Sequence, residues 1–229
     1  MIARFLHIIH DLFFPNTCII CDNHLFANEK FICPKCDSES NWIPSSNDNL
    51  VYLKERFFGK FSFEYLIGLM TYDHDENSKI LIHHLKYKNL PKIGELFSDK
   101  TIELYDNHPI FQQADYLIKI PLHPDKLKKR GYNQLDGFTK KISQHFDIPI
   151  LENHIIRTKN TMAQALRNKK ERLKNKDLFE IKNKIDLNGK HVIVIDDVVT
   201  TGTTLTHFVN VLQSENDCKV SILCMAVAK

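Results

Sequence analysis

The fold is decided by the stretch Val192-Ile-Val-Ile-Asp196-Asp197-Val-Val-Thr200-Thr201-Gly202-Thr203-Thr204-Leu205. It begins as a continuous aliphatic run, which is typical of a strand buried on both faces of a parallel sheet. Two adjacent acids follow at the carboxyl end of this predicted strand, and a turn rich in threonine then leads into a helix that we expect to begin near Thr203. This order of strand, acids, turn and helix predicts an α/β domain.

The turn has the chemistry of an anion site. Backbone N–H groups and threonine hydroxyls converge there, at the positive end of the dipole of the following helix. Gly202 lets the backbone approach a phosphate closely, and Asp196 and Asp197 could accept hydrogen bonds from ribose hydroxyls or hold a divalent cation. The alternative is a capped helix end that binds no ligand. Because the acids, the glycine and four threonines occur together, we predict that this loop binds a phosphorylated ribose.

Further strands and helices flank the loop. Apolar segments at 65–72, 116–121 and 220–227 predict strands, and the spacing of apolar residues at 135–146 and 205–212 predicts two helices with one apolar face each. Strands that alternate with helices favour a mostly parallel sheet with flanking helices, whose ligand site lies beyond the carboxyl ends of the strands. A polar run that ends at Asn49 predicts two domains, at 1–48 and 49–229.

Composition restricts the class of protein. A chain of 229 residues with 43% hydrophobic residues can form one full-sized domain and a small appendage. No apolar segment approaches the roughly 18 residues that a membrane-spanning helix needs. Apolar residues recur at helical spacing near the N-terminus, but histidines and an aspartate interrupt them, so we predict an amphipathic helix and not a targeting signal. We therefore expect no membrane span and a cytoplasmic location.

Charge is unevenly distributed along the chain. The formal net charge is only +3, yet residues 119–176 carry 15 Lys and Arg against 5 Asp and Glu, a local excess of +10. Such a run is explained by a solvated face as well as by a surface that binds anions, and the composition leaves both open.

Four of the six cysteines form two tight pairs, Cys18-Ile-Ile-Cys21 and Cys33-Pro-Lys-Cys36, with 11 residues between the pairs. Two such knuckles match a tetrahedral site of four thiolates, which is closed and therefore structural. Disulfides are the alternative, but tight pairs in a chain without a recognisable secretion signal favour metal. We predict that all four cysteines bind Zn²⁺. The aromatic residues that we expect to pack around it are Phe13, Phe14, Phe26, Phe31 and Trp42.

Several of these features resemble a known family. The loop at 192–205 resembles the phosphoribosyl pyrophosphate signature of the type I phosphoribosyltransferases, and nearly the whole chain is similar to the ComF family, the amidophosphoribosyltransferase-like competence proteins. The cysteine-rich domain of that family corresponds to the two cysteine pairs, and its Arg-Gly-Phe/Tyr-Asn-Gln motif stands here as Arg130-Gly131-Tyr132-Asn133-Gln134. A further family pattern is matched by Gln164, Arg172 and Asn175, with Phe179 one residue earlier than in the family.

The resemblance implies a type I phosphoribosyltransferase-like fold, preceded by a small zinc-ribbon-like domain, that binds phosphoribosyl pyrophosphate with Mg²⁺. In this family the threonine-rich loop takes the 5′-phosphate, the acid pair takes the ribose diol, and the loop after an earlier strand contacts pyrophosphate. The implied catalytic residues are Asp196 and Asp197. The implied ligand contacts are Thr200, Thr201, Gly202, Thr203, Thr204, Pro121, Leu122, His123 and Arg130.

The resemblance leaves two functions open. The first is an enzyme that displaces pyrophosphate at the anomeric carbon in favour of an acceptor that the sequence does not identify. The second is a non-catalytic module that senses the ligand or binds single-stranded DNA, in line with the family's association with DNA uptake during natural transformation. A competence helicase is a partner that the family setting alone implies. The expected nucleic-acid contacts are Lys128, Lys129, Arg130, Lys169, Lys170, Arg172 and Lys174.

Overall fold

The computed structural model describes residues 16–26, 28–45, 51–72, 76–87, 92–158 and 178–228. The predicted amphipathic helix at the N-terminus and the predicted domain boundary at Asn49 lie outside these ranges, so both stay predictions. None of the described helices is both long and apolar enough to cross a membrane.

A sheet of four parallel strands forms the centre of the protein. The strands in chain order are β1 (Leu66–Thr71), β2 (Tyr116–Lys119), β3 (Ile155–Arg157), β4 (Phe179–Ile181), β5 (His191–Val199) and β6 (Lys219–Val227). The central sheet has the order β1-β6-β5-β2, whereas β3 and β4 pair antiparallel with each other. The predicted parallel sheet is therefore confirmed. The small antiparallel pair was not predicted, because strands of three residues are too short to show a periodicity.

Helices connect the strands of the central sheet. Those within the described residues are α1 (Pro34–Glu39), α2 (Val51–Phe57), α3 (Glu76–Tyr87), α4 (Ile93–Tyr105), α5 (Pro109–Gln113), α6 (Pro124–Arg130), α7 (Asp136–Phe146) and α8 (Thr203–Glu215). The two helices expected from apolar spacing are α7 and α8. Helix α8 begins at Thr203, as predicted, because Gly202 before it adopts the left-handed conformation and separates strand from helix.

Helices cover both faces of the central sheet. In β5, Ile193 and Ile195 belong to the same core as the apolar residues of α3, α4 and α7, whereas Val192 and Val194 belong to the core under α2 and α8. Successive side chains of a strand point to opposite faces, so both faces of β5 must be apolar. This explains the unbroken aliphatic run that predicted the strand.

The cysteine-rich segment packs against the edge of this sheet. Trp42 forms a bridge with Met70 in β1, and the N–H of Ile43 donates to the carbonyl of Leu69 at 2.8 Å. The hydroxyl of Tyr105 donates to the carbonyl of Ile43 at 2.6 Å. The N-terminal segment is thus fixed both to the edge strand and to helix α4.

Candidate functional site

A cleft of about 260 Å³ opens at the carboxyl ends of β2 and β5. From β2 the chain leads to α7 on one face of the sheet, and from β5 it leads to α8 on the other. Ligands of open α/β sheets bind where neighbouring strands diverge in this way. The residues that line the cleft are Lys86, Ile120, Pro121, Leu122, Lys126, Arg130, Gln134, Arg157 and residues 196–205.

The loop at 200–202 joins β5 to α8 and presents backbone donors. Within the described residues, the N–H groups of Thr200, Thr201 and Gly202 have no protein acceptor. The first N–H groups of α8 also lack partners inside the helix, as at every helix start. Gly202 has a φ of +74°, and a Cβ added there would lie 2.3 Å from Cε1 of Phe57. Both the backbone conformation and the close contact require glycine at this position.

The two acids at the end of β5 have different surroundings. Asp197 is buried, and its carboxylate accepts hydrogen bonds from Lys86 Nζ at 2.9 Å, from Gln134 Nε2 at 2.6 Å and from the N–H of Val198 at 2.6 Å. Burial alone would raise the pKa of Asp197, but these contacts, with Lys86 first among them, hold the pKa below its usual value. Asp197 therefore stays ionised and its oxygens are already engaged by the protein.

Asp196 has much less support from the protein. Its carboxylate accepts a hydrogen bond from the N–H of Asp197 at 2.8 Å, and no other donor is present among the described residues. Burial, followed by the charge of Asp197, raises the pKa of Asp196 to about 8. A carboxyl group in this condition carries a proton at neutral pH until a cation or hydrogen-bond donors reach it. Of the two acids, Asp196 is the one that can receive a ligand.

Cationic side chains give the cleft a positive character. Those that line it are Lys86, Lys126, Arg130 and Arg157. Burial lowers the pKa of Lys126, and the charges of Arg157 and Arg130 lower it further. Four cations face two carboxyls, of which one is protonated at neutral pH. A bound polyanion such as pyrophosphate would relieve this repulsion.

The four clustered cysteines form a second site. Their Sγ atoms all lie within 4.8 Å of one another, and those of Cys21 and Cys33 are 3.7 Å apart. With Zn–S bonds of about 2.3 Å, a tetrahedral site places its sulfur atoms roughly 3.8 Å apart. The donor set therefore fits a structural Zn²⁺ ion held by Cys18, Cys21, Cys33 and Cys36.

Burial and hydrogen bonding shift the pKa values of these thiols in opposite directions. Burial raises the pKa of Cys18, but backbone N–H groups, that of Cys33 first among them, outweigh burial and bring the pKa to about 7. Burial and the neighbouring sulfurs raise the pKa of Cys36. A bound cation removes this conflict, because metal ligation stabilises every thiolate of the set.

Only some of the predicted aromatic residues surround the cysteines. Phe31 and Trp42 pack against the core that contains Cys18, Cys33 and Cys36. The expectation for Phe26 was wrong: its side chain is 79% exposed, because it lies in the connection between the two cysteine pairs, where its N–H donates to the Glu29 carboxylate. Phe13 and Phe14 lie outside the described residues.

Comparisons with known proteins agree with this architecture. The model of the phosphoribosyl transferase domain matches residues 137–229. Competence protein F of Haemophilus influenzae is 27% identical over 219 residues, which cover 88% of this chain and 92% of that protein. The chain is thus similar to a competence protein over most of its length, as its resemblance to the ComF family predicts. The family resemblance inferred from the loop, the cysteine pairs and the Arg-Gly-Tyr-Asn-Gln stretch is thereby confirmed, together with the type I phosphoribosyltransferase fold.

Two further similarities concern parts of the chain. DNA utilization protein YhgH of Escherichia coli O157:H7 is 28% identical over 151 residues, which cover 64% of this chain and 65% of that protein. Among solved structures, purine phosphoribosyltransferase from Pyrococcus horikoshii is 16% identical with a TM-score of 0.37, and the match covers 71% of this chain and 78% of that one.

Most of the ligand contacts that the family resemblance predicts lie around the cleft. Pro121, Leu122, Arg130 and the whole loop at 200–204 line it together with both acids. His123 does not line it, because its Nδ1 accepts the N–H of Asp125 at 3.2 Å and caps helix α6. The predicted role of His123 in pyrophosphate binding therefore has no support from its position.

The predicted nucleic-acid contacts divide into two groups. Lys128 and Lys129 are exposed in the last turn of α6, and Arg130 turns into the cleft, where its guanidinium donates to Gln134. The remaining predicted contacts lie outside the described residues, as do Gln164 and Asn175. They are Lys169, Lys170, Arg172 and Lys174.

Sequence reasoning missed two cations of the cleft. Lys86 lies in the last turn of α3 and Arg157 in β3, both far along the chain from the acids that they face. A signal for Lys86 was present, because this cation follows buried Ile82 by four residues and so falls on the same face of the helix. For Arg157 we find no local signal.

Proposed function

We propose that this ComF-family protein binds phosphoribosyl pyrophosphate with Mg²⁺ in the cleft at the carboxyl end of β5. The observation that carries the proposal is the division of the acid pair. Asp197 is engaged by Lys86 and Gln134. In the part of the chain that the structure describes, Asp196 has a single backbone donor and lies beside a loop whose N–H groups have no protein acceptor. A ribose diol next to a 5′-phosphate presents the groups that match this pattern.

Each part of the ligand has a counterpart in the cleft. The 5′-phosphate is held by the N–H groups at 200–204 and by the dipole of α8. Asp196 accepts hydrogen bonds from the ribose hydroxyls and supplies an oxygen ligand of the kind that Mg²⁺ prefers. When bound, Mg²⁺ supplies charge neutralisation on the pyrophosphate oxygens. Lys126, Arg130 and Arg157 supply further countercharge.

The arrangement suits displacement of pyrophosphate at the anomeric carbon. The bond from this carbon to pyrophosphate breaks, the leaving oxygen keeps the electron pair, and the acceptor supplies the pair for the new bond. Cations fixed around the pyrophosphate stabilise the charge that develops on it in the transition state. We therefore propose a phosphoribosyltransferase whose acceptor is still to be identified.

The biological setting is part of the same proposal. The names Competence protein F and DNA utilization protein belong to relatives, and they support a role in DNA uptake during natural transformation. We propose a cytoplasmic protein, because the described cysteines are all free thiols and four of them are grouped for metal binding. A competence helicase is the partner that this setting suggests.

Titration calorimetry tests ligand binding directly. We expect phosphoribosyl pyrophosphate with Mg²⁺ to bind with a dissociation constant in the micromolar range, and ribose 5-phosphate, which lacks pyrophosphate, to bind more weakly. An affinity no higher than that for unphosphorylated ribose contradicts the proposal. Release of pyrophosphate in the presence of a nucleobase, an amine or an oligonucleotide would then identify an enzyme, and binding without release would identify a ligand sensor.

A second candidate function is binding of single-stranded DNA. The observation that favours it is the exposure of Lys128 and Lys129 on α6, whose last turn also carries Arg130 into the cleft. A basic helix at the border of a cationic cleft suits a polyanion that is longer than one nucleotide.

Charge reversal on α6 tests this second function. The variant Lys128→Glu with Lys129→Glu should bind an oligonucleotide more weakly, and the slope of log affinity against log salt should fall by roughly 0.7 for each phosphate that the variant no longer neutralises. The matched control is Lys182→Glu with Lys184→Glu, two exposed lysines that do not line the cleft. Equal affinities for the two double variants would mean that α6 is only a solvated face.

A further inference from the structure

Helix α2 contacts the loop at 200–202, which would bind phosphate, on the side of the loop that faces away from the cleft. We propose that Arg56 in this helix is a positioning residue, which holds the loop in the conformation that binds phosphate. The inference rests on the proposed function of the cleft. Nη1 of Arg56 donates to the carbonyl of Thr200 and, at 3.1 Å, to the carbonyl of Ala228. Arg56 itself does not line the cleft, so it acts through the loop and not on the ligand.

The contact to Thr200 fixes the direction of a peptide group. The described peptide bonds are all trans, so the carbonyl of Thr200 and the N–H of Thr201 point in opposite directions. Because the carbonyl faces Arg56, the N–H of Thr201 is directed away from Arg56 and toward the cleft that Thr201 lines. The contact thereby orients a donor at the position where the 5′-phosphate would bind.

The preceding peptide group is fixed in the same sense. The N–H of Ala228 donates to the carbonyl of Val199 at 2.8 Å, which directs the N–H of Thr200 away from β6. Arg56 also donates to the carbonyl of Ala228, so one guanidinium joins the loop to the end of β6. Two carbonyls that would repel a phosphate are held outside the cleft.

Phe57 supports the loop from the same helix. Its ring is fully buried and lies so close to Gly202 that an added Cβ would be 2.3 Å from Cε1. Leu53 is also fully buried, so α2 is anchored in the core by apolar contacts that do not involve Arg56. Loss of the guanidinium should therefore free the peptide between Thr200 and Thr201 without releasing the helix.

Loss of the Arg56 guanidinium should lower the affinity only for ligands whose phosphate binds this loop. Once released, this peptide group can rotate about ψ of Thr200 and φ of Thr201, and orientations that present its carbonyl to the anion weaken binding. Arg56→Gln should weaken binding of ribose 5-phosphate about tenfold, the value of one charge-assisted hydrogen bond. Inorganic pyrophosphate should bind instead to Lys126, Arg130 and Arg157, so its affinity should change less than about twofold.

Calorimetry with these two probes on four proteins tests the inference. The proteins are the parent, Arg56→Gln, Arg56→Lys and the control Lys54→Gln, which replaces an exposed cation of the same helix. Arg56→Lys keeps a charge and a donor, so it should recover part of the affinity for ribose 5-phosphate, and Lys54→Gln should match the parent. Thermal unfolding of each protein shows whether it is folded. If Arg56→Gln is unfolded, the comparison is made on Arg56→Lys. This variant should then show a smaller loss of affinity for ribose 5-phosphate and no comparable loss for pyrophosphate.

The outcomes separate this inference from the proposed function. A parent protein that binds neither probe contradicts the proposed function itself. If the parent binds both and the folded Arg56 variants bind ribose 5-phosphate equally well, the role of Arg56 is overturned while the proposed function stands. Equal loss of both probes also overturns it, because a general change of the cleft, and not an oriented peptide group, would then be the cause.

Discussion

Replacing Asp196 with asparagine should lower the affinity for phosphoribosyl pyrophosphate with Mg²⁺ about a hundredfold, because two charge-assisted hydrogen bonds of about 1.5 kcal/mol each are removed. Among the described residues Asp196 has a single backbone donor, so its carboxylate is available to the ribose hydroxyls and the cation. The fold should not suffer, because asparagine is neutral, as the protonated carboxyl of Asp196 already is at pH 7 in the free protein. Calorimetry gives the affinity and thermal unfolding the stability.

Asp197→Asn is the matched control for this prediction. It removes the anionic partner of Lys86 and weakens the contact to Gln134, so it should lower the free energy of unfolding by about 3 kcal/mol, as expected when one member of a buried ion pair is removed. The two neighbouring substitutions should therefore have different signatures, one in affinity and one mainly in stability. Undiminished affinity in folded Asp196→Asn would show that Asp196 does not receive the ligand.

The raised pKa of Asp196 adds a second measurement on the same variant. At pH 7 the carboxyl group of the free protein carries a proton, since its pKa is about 8. Binding of a cation should ionise it and release this proton, which calorimetry in two buffers of different ionisation enthalpy detects. Affinity should rise with pH up to about 8. Asp196→Asn should release no proton.

The raised pKa of Asp196 also makes the free energy of unfolding fall as the pH rises, whereas the ligand affinity rises. Its pKa in the folded protein lies above the unfolded value of 3.8, so the folded state binds the proton more tightly. Its contribution to the free energy of unfolding is complete below pH 3.8 and is lost as the pH rises through about 8. Ligand affinity and intrinsic stability should therefore change with opposite sign over this range.

Cys36→Ser should remove most of the zinc and lower the free energy of unfolding by at least about 3 kcal/mol, because binding of a structural zinc ion contributes directly to folding. Cys36 is buried in the core that also contains Phe97 and Met70, so the loss should extend to the sheet domain. Elemental analysis gives the metal content, with one zinc ion per chain expected in the parent. Thermal unfolding with and without a chelator gives the stability.

Cys218→Ser is the control for the cysteine cluster. Cys218 is buried as well, but it lies directly before β6 and outside the four-cysteine group. This variant should keep a full complement of zinc. If Cys36→Ser retains the same zinc content as Cys218→Ser, then Cys36 is not a ligand.

The parts of the fold that depend on local patterns could be predicted from the sequence. The strand β5, the start of α8 at Thr203 and the loop between them follow from a continuous aliphatic run, two acids and a glycine that are adjacent in the chain. The cysteine cluster follows from spacing alone, since two close pairs already define two knuckles. In each case the residues that define the feature lie within about 20 positions of one another, as expected for motifs read from sequence.

Contacts between distant segments could not be predicted. The sequence makes Asp196 and Asp197 look equivalent, and it is the approach of Lys86 from α3 and of Gln134 from the turn before α7 that divides their roles. Arg56 reaches the loop from α2 in the same way. Such contacts depend on the tertiary arrangement of helices, for which a single chain carries no periodic signal.

Short flanking segments cover both borders of the central sheet, and this has a consequence for association. At the β1 border, Trp42 and Ile43 occupy hydrogen-bonding positions, and at the β2 border the carbonyl of Pro149 and the N–H of Leu151 bond to Leu117. An uncovered edge strand presents a row of unpaired backbone groups with which a strand of another chain can pair. At these positions strand pairing is blocked, so a protein partner that contacts them has to bind through side chains and charge.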